Sequence, residues 1–168
     1  MACGRLRMIE NGQEMQWGPL FDRPTPELYH VEAGQFISRP TLTGGLFTEA
    51  FERDGRFCWA LPSGSYFLSR IVPWQGNVTK ADDLRKNIFP GVTFTVPGGG
   101  GAVYLGTLVI SMPVSKDFMG NKWISGHPSV RVLDEFDREM QAGDSGRVEK
   151  QLMVARPELE GAPLHPGS

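Results

Sequence analysis

Apolar and polar positions alternate most strictly over residues 92–96, where Val92, Phe94 and Val96 share one face and Thr93 and Thr95 the other. A period of two bounded by turn residues predicts a half-buried strand. After Pro97 and the four glycines 98–101, residues 102–110 are apolar almost throughout. That pattern predicts a central strand covered on both faces, with Gly106 marking a bulge or a close backbone approach.

Asp54-Gly55 lies between the runs 46–53 and 56–61 and offers the left-handed pair of a two-residue hairpin turn. Leu61-Pro62-Ser63-Gly64 follows with turn chemistry and leads into a further run at 65–72, so a three-stranded meander is expected. Residues 5–9, 28–31 and 35–37 read as weaker strands around a proline-rich stretch, and 130–133 as a late one. Asp134 then offers a helix cap, with Glu135 and Asp137 in the first turn, Phe136 and Met140 on one face and Gly143 at the end. A second short helix is expected over 147–155, with Val148, Leu152 and Ala155 inward and Pro157 stopping it. The segment 74–90 fits either a helical turn or a long loop. Together these elements predict a mainly β chain, an antiparallel β-sandwich of about seven to nine strands with one or two short C-terminal helices. Residues 1–156 would form one domain and 157–168 a flexible tail.

Twenty-one glycines and thirteen prolines in 168 residues weigh against a helical bundle, while 40% hydrophobic residues suffice for a core. A net charge of -2 without a basic run removes nucleic acid as an expected partner. The longest apolar run is half of what a membrane-spanning helix needs. His30, His127 and His165 lie far apart with no metal-ligand spacing, so neither a metal nor another cofactor is expected. Cys3 and Cys58 could form one disulfide, but Cys58 sits within Phe57-Cys58-Trp59-Ala60-Leu61 and reads better as a buried free thiol.

Two stretches carry a likeness. Phe57-Cys58-Trp59-Ala60-Leu61-Pro62-Ser63-Gly64-Ser65-Tyr66, followed by Phe94-Thr95-Val96-Pro97-Gly98 and Val103-Tyr104-Leu105-Gly106-Thr107-Leu108, resembles uncharacterised bacterial envelope lipoproteins with a small β-sandwich domain. In that family a Leu-Pro-Pro-Gly-x-Tyr hairpin accompanies a Tyr-Leu-Gly strand; here Ser63 stands in place of the second proline. The resemblance covers the middle third to half of the chain and its motifs are structural. It implies an extracytoplasmic immunoglobulin-like sandwich, similar to transthyretin-like or carboxypeptidase-regulatory-like domains, and brings no catalytic residues. Ala2-Cys3-Gly4 looks like the end of a lipoprotein signal, in which Cys3 would carry the lipid; the apolar stretch that precedes such a cysteine is absent, so on this reading the natural protein is longer.

Candidate chemistry beyond that is sparse. Gly98 to Gly101 open a strand and not a helix, which speaks for a hairpin turn over a phosphate loop. Asp82-Asp83 and the set Asp134, Glu135, Asp137 and Glu139 could hold a cation or exchange protons, but helix capping accounts for the second set. Asn77-Val78-Thr79 matches a glycosylation sequon. Trp59, Tyr66 and Tyr104 are expected in the core, whereas Trp74 and Trp123 lie in loop-like segments, where they could cover an end of the sandwich or contact a partner. The leading expectation is a non-enzymatic protein on the periplasmic side of the bacterial cell envelope, an outer-membrane lipid anchor on Cys3 being its membrane contact. It would bind an envelope protein or a glycan. One alternative is a carbohydrate- or peptide-binding module using Trp74 and Trp123. The other is an enzyme whose residues meet only in space.

Overall fold

The computed structural model describes residues 1–18, 23–38, 40, 42, 50–74, 85–140 and 148–159. Along the described chain the strands are β1 (Ala2–Glu10), β2 (Gln13–Glu14), β3 (Thr25–His30), β4 (Gln35–Ser38), β5 (Arg56–Trp59), β6 (Gly64–Val72) and β7 (Val92–Val96). They continue as β8 (Ala102–Met112), β9 (Val114–Lys116), β10 (Lys122–Ile124), β11 (Ser129–Leu133), β12 (Val148–Lys150) and β13 (Val154–Ala155). One helical turn, α1 (Phe136–Glu139), precedes β12, and a 3-10 turn, Pro157–Leu159, follows β13.

β8 is the centre of the first sheet because no other segment can be buried on both faces for so long. Its neighbour on one edge is β1, in parallel register from Ala2 beside Val103 to Glu10 beside Met112. Its other edge carries β11 along residues 107–111 and β12 along 102–104. The far edge of β1 likewise takes β5 at residues 2–5 and β2 at 9–10. Gly106 explains how one strand feeds one core throughout. It sits at φ 93° where the β1–β8 register slips between Cys3 and Arg5, so the extra residue is a bulge. Before it Val103 and Leu105 face the core; after it the parity changes and Leu108, Ile110 and Met112 do.

The second sheet, in the order β13-β7-β6-β3-β4, is antiparallel throughout. Its Leu28, Tyr66, Leu68, Ile71, Val92, Phe94 and Val96 meet Leu6, Met8, Phe57, Trp59, Val103, Leu105, Leu108 and Ile110 of the first in one core. The protein is therefore mainly β, with two sheets packed as a sandwich. His30, Tyr66 and Phe94 form a directly opposed row across β3, β6 and β7, with rings stacked 4.6 Å and 5.2 Å apart.

Strands 92–96 and 102–110 and the bulge at Gly106 match the expectation, as do β1, β4 and β11 with wider limits, while β3 is shifted to Thr25–His30 and leaves Val31 in the turn. The sandwich has more strands than the seven to nine expected, thirteen among the described residues, and its first sheet is mixed, with β1 and β12 parallel to β8. Three local expectations also need correction. The Asp54-Gly55 turn forms, with Gly55 at φ 88° and Glu52 N–H donating to Arg56 O at 2.7 Å, but β5 pairs with β1 and β6 lies in the other sheet, so these two do not continue a meander; residues 46–49 of its expected first strand lie outside the described residues. Gly98 to Gly101 likewise carry the chain from one sheet to the other instead of closing a hairpin. The second helix is absent from the described part of 147–155. Val148–Lys150 lies along β8 and Val154–Ala155 along β7, and Gln151 and Met153 N–H groups donate to the Tyr104 and Leu105 carbonyls at 2.9 and 2.8 Å. Open edges of two strands offered these residues hydrogen bonds that an isolated short helix could not match. Gly143, Arg147, Asp82-Asp83 and the 77–79 sequon lie outside the described residues.

Candidate functional site

Alternation along β1 turns Ala2, Leu6 and Met8 into the core, leaving Cys3, Arg5 and Arg7 on the outer face of the first sheet. β5 places Phe57 and Trp59 inward and Cys58 outward, directly opposite Cys3 at a Cα–Cα distance of 4.1 Å, and the two sulfurs form a disulfide. Cys58 is thus not a free thiol. The apolar run around it is real, but only its alternate members enter the core, and the pairing of β5 with β1 brings a second sulfur to the remaining position. A sulfur in this bond cannot also hold a thioether lipid, so the disulfide and lipidation of Cys3 exclude each other.

A cleft of ≈ 480 Å³ lies beside the disulfide, lined among others by Phe57, Arg56, Tyr104, Glu139 and Met140. Its charged groups are committed to one another. Arg5 donates to Glu139 Oε1 and to the Asp54 carbonyl, both at 3.0 Å, and Arg56 Nε donates to Asp54 Oδ2 at 2.7 Å. α1 is tied down beside the cleft by the Phe136 ring against Tyr104 at 5.3 Å. Asp134 Oδ1 accepts from Phe136 N–H, and Lys150 Nζ donates to Oδ2 at 2.7 Å, which holds the Asp134 carboxyl below its usual range. The N-cap of α1 is Glu135, which makes no side-chain cap bond, and not Asp134 as expected; ion pairs with Lys150, Arg138 and Arg5 take up Asp134, Glu135 and Glu139 of the acidic run. No group of three or more His, Cys, Asp or Glu side chains suited to a metal occurs among the described residues. Burial pushes the Tyr104 hydroxyl up, and its oxygen accepts the Glu135 N–H at 3.3 Å. Such a cleft can hold a ligand with an apolar body; its paired charges offer little for proton transfer.

Trp74 borders a second cleft of ≈ 410 Å³, shared with Glu10, Gln13, Lys116 and Lys122. It is only 8% exposed, its Nε1 has no hydrogen-bond partner among the described residues, and Lys122 Nζ stands 5.8 Å over its ring while bonding both Glu10 oxygens at 2.9 and 3.0 Å. The Asn11 side chain closes this end by pairing with both backbone groups of Val114. Trp123 is half-buried between Lys122 and Ile124 on β10. Since Lys122 turns toward Trp74, strand alternation directs Trp123 to the opposite face of the β9–β10 ribbon. The two indoles do not share a surface.

Another cluster carries no sequence signal beyond Gly64. His30 Nε2 lies 3.4 Å from Glu32 Oε2, and the Glu32 carboxylate accepts the Ser65 N–H at 2.8 and 3.0 Å, which holds it below its usual range. Gly64, at φ 146°, is needed because a Cβ there would overlap His30 Nε2. Tyr66 beneath the imidazole donates its hydroxyl to the Pro62 carbonyl at 2.8 Å. No family model, no curated protein and no solved structure matches this chain.

Proposed function

We propose that the chain is an exported, non-enzymatic binding or assembly module of a bacterial cell envelope. The Cys3–Cys58 disulfide carries this reading. Disulfides persist in oxidising compartments and are rare in a reducing cytosol, where Cys58, which is not fully buried, would be kept as a thiol. The resemblance to envelope sandwich domains agrees with it, and so does the cleft beside the disulfide, whose charges bind each other. On this reading any tether acts elsewhere than on Cys3.

The test is thiol alkylation with intact-mass analysis of the protein taken from its native host. The expected result is no alkylated cysteine before reduction and two after it. Two free thiols in the untreated protein would remove the reading. An acyl mass increment on Cys3 with Cys58 alkylated would keep export and replace the disulfide by a lipid.

The cleft beside Trp74 supports a second reading as a glycan or peptide site, with Gln13 and Lys116 at its mouth. Screening against glycan and peptide arrays tests it. A saturable ligand whose binding Gln13→Ala weakens at unchanged thermal midpoint is expected; an array without a hit removes the idea.

A further inference from the structure

We propose that the tip of the β9–β10 ribbon is a lipid-surface contact, in which Phe118 and Met119 enter a bilayer interface and Lys116 meets the headgroup phosphates. Phe118 is 99% exposed and Met119 74% exposed, the two most exposed large apolar side chains among the described residues. They are held out by a loop bonded to itself. Met119 and Asn121 N–H both donate to Asp117 Oδ1 at 2.9 Å, and the Asn121 side-chain amide donates to Oδ2 at 2.8 Å. Gly120 N–H donates to the Asp117 carbonyl at 3.0 Å, and Asp117 N–H to the Asn121 carbonyl at 3.1 Å. These bonds fix the backbone of the tip in the conformation that presents Phe118 and Met119 to solvent.

Three features favour lipid over a protein partner. The acyl region of a bilayer offers no hydrogen bonds, so a loop whose tip reaches it gains from satisfying its backbone from within, as this one does for Asp117, Met119, Gly120 and Asn121 N–H. A protein pocket imposes no such demand. Secondly, Lys116 and Lys122 are direct cross-strand partners immediately behind the tip, a like-charge pair that disfavours the ribbon itself. Glu10 neutralises Lys122, while Lys116 makes no ion pair with any described residue. A free ammonium just behind an apolar tip is placed at headgroup depth, and the Asp117 carboxylate is occupied by three N–H donors. Thirdly, two side chains on a two-stranded ribbon bury at most roughly 400 Å², about half of what each partner contributes to a standard protein interface. A lipid surface has no such minimum, because interfacial affinity scales with whatever apolar area enters plus attraction to anionic headgroups.

The experiment is vesicle co-sedimentation of the oxidised protein with phosphatidylglycerol–phosphatidylcholine vesicles at millimolar lipid. It compares wild type, the double variant Phe118→Ser with Met119→Ser, Lys116→Glu, and Phe118→Trp. All three altered positions are solvent-exposed, and unchanged thermal midpoints confirm the fold. Wild type is expected to bind weakly and reversibly, and the double serine variant about tenfold or more weakly. Lys116→Glu should weaken binding and remove any preference for the anionic lipid. Tryptophan at position 118 should gain quenching by brominated acyl chains over the wild-type signal. The proposal is overturned if wild type stays in the supernatant, or if the double serine variant binds as well as wild type. It is equally overturned if sedimentation velocity shows wild type self-associating through a tip that the serine variant abolishes. None of these results bears on the cysteine alkylation pattern, so this contact and the export reading stand or fall separately.

Discussion

At the scale of single residues, Gly106 shows how one position decides the use of eleven. Its φ of 93° makes the bulge that changes the parity of β8, and a Cβ there would come within 3.0 Å of the Leu133 carbonyl and 3.1 Å of Leu152 and Val132 side chains. Gly100 has a similar φ of 76° but nothing within 4 Å. Both alanine substitutions carry the left-handed backbone cost of about 1–2 kcal/mol, and only Gly106→Ala adds a packing conflict with a carbonyl that is fixed in β11. Urea unfolding should therefore rank Gly106→Ala clearly below Gly100→Ala in stability. Equal midpoints would mean that the bulge is not a constraint. Trp74 makes the opposite point, since a residue read from sequence as a contact candidate is 8% exposed and covered by Lys122. Trp74→Ala should cost about 3–5 kcal/mol, as large aromatic deletions from cores do, and be visible as a lowered thermal midpoint. A midpoint unchanged within error would return Trp74 to the surface.

At the scale of elements, strands were legible and their partners were not. The period of two at 92–96 and the unbroken apolar run at 102–110 depend only on how residues face a sheet, and β7 and β8 lie there. Pairing depends on what lies across the sandwich. Asp54-Gly55 names a turn, yet nothing local tells β5 to join β1, some fifty residues upstream, or tells β6 to enter the other sheet. The disulfide was hidden for the same reason, because Cys58 belongs to an apolar run and its partner becomes visible only with the register. The spacing of Val148, Leu152 and Ala155 suits a helix, but the free edges of β7 and β8 claimed those residues. Of the candidate site, Cys3 and Trp74 are legible in the sequence, while Phe118 and Met119 are not, because nothing local distinguishes an apolar pair on a tip from one in a core. The β1–β5 cross-link also has a measurable consequence. With a sequence separation of 55, it removes enough freedom from the unfolded chain to stabilise the fold by about 2–4 kcal/mol. The Cys3→Ser, Cys58→Ser double variant should unfold at correspondingly lower urea. If it matches the oxidised wild type, the bond adds nothing to the fold.

At the scale of the whole molecule, the core is apolar and the periphery is fastened by carboxylates. Glu14 holds β2 to β1 through a two-point contact with Arg7 at 2.7 and 3.0 Å, Glu32 holds the turn after β3 to Ser65 at the start of β6, Asp117 closes the ribbon tip, and Asp134 links the start of α1 to Lys150 of β12. Hydrogen bonds from Arg7, Ser65, Asn121 and Lys150 respectively are the largest cause that holds each of these four carboxyls below its usual value of 4.5 for Glu or 3.8 for Asp. In the unfolded chain they regain those values and bind protons first as the medium is acidified. Their contribution is thus complete above the unfolded values and is lost as pH falls through the lower folded ones. Each is solvent-screened, so the effect of any one is small, but all four act in the same direction. Urea midpoints should therefore lie on a plateau above about pH 5 and decline progressively below about pH 4. Glu14→Gln combined with Asp134→Asn should flatten part of that decline while lowering the plateau itself. A midpoint that holds to about pH 2.5 in the wild type would show that these contacts do not fasten the periphery, leaving the apolar core and the disulfide as the whole of the stability.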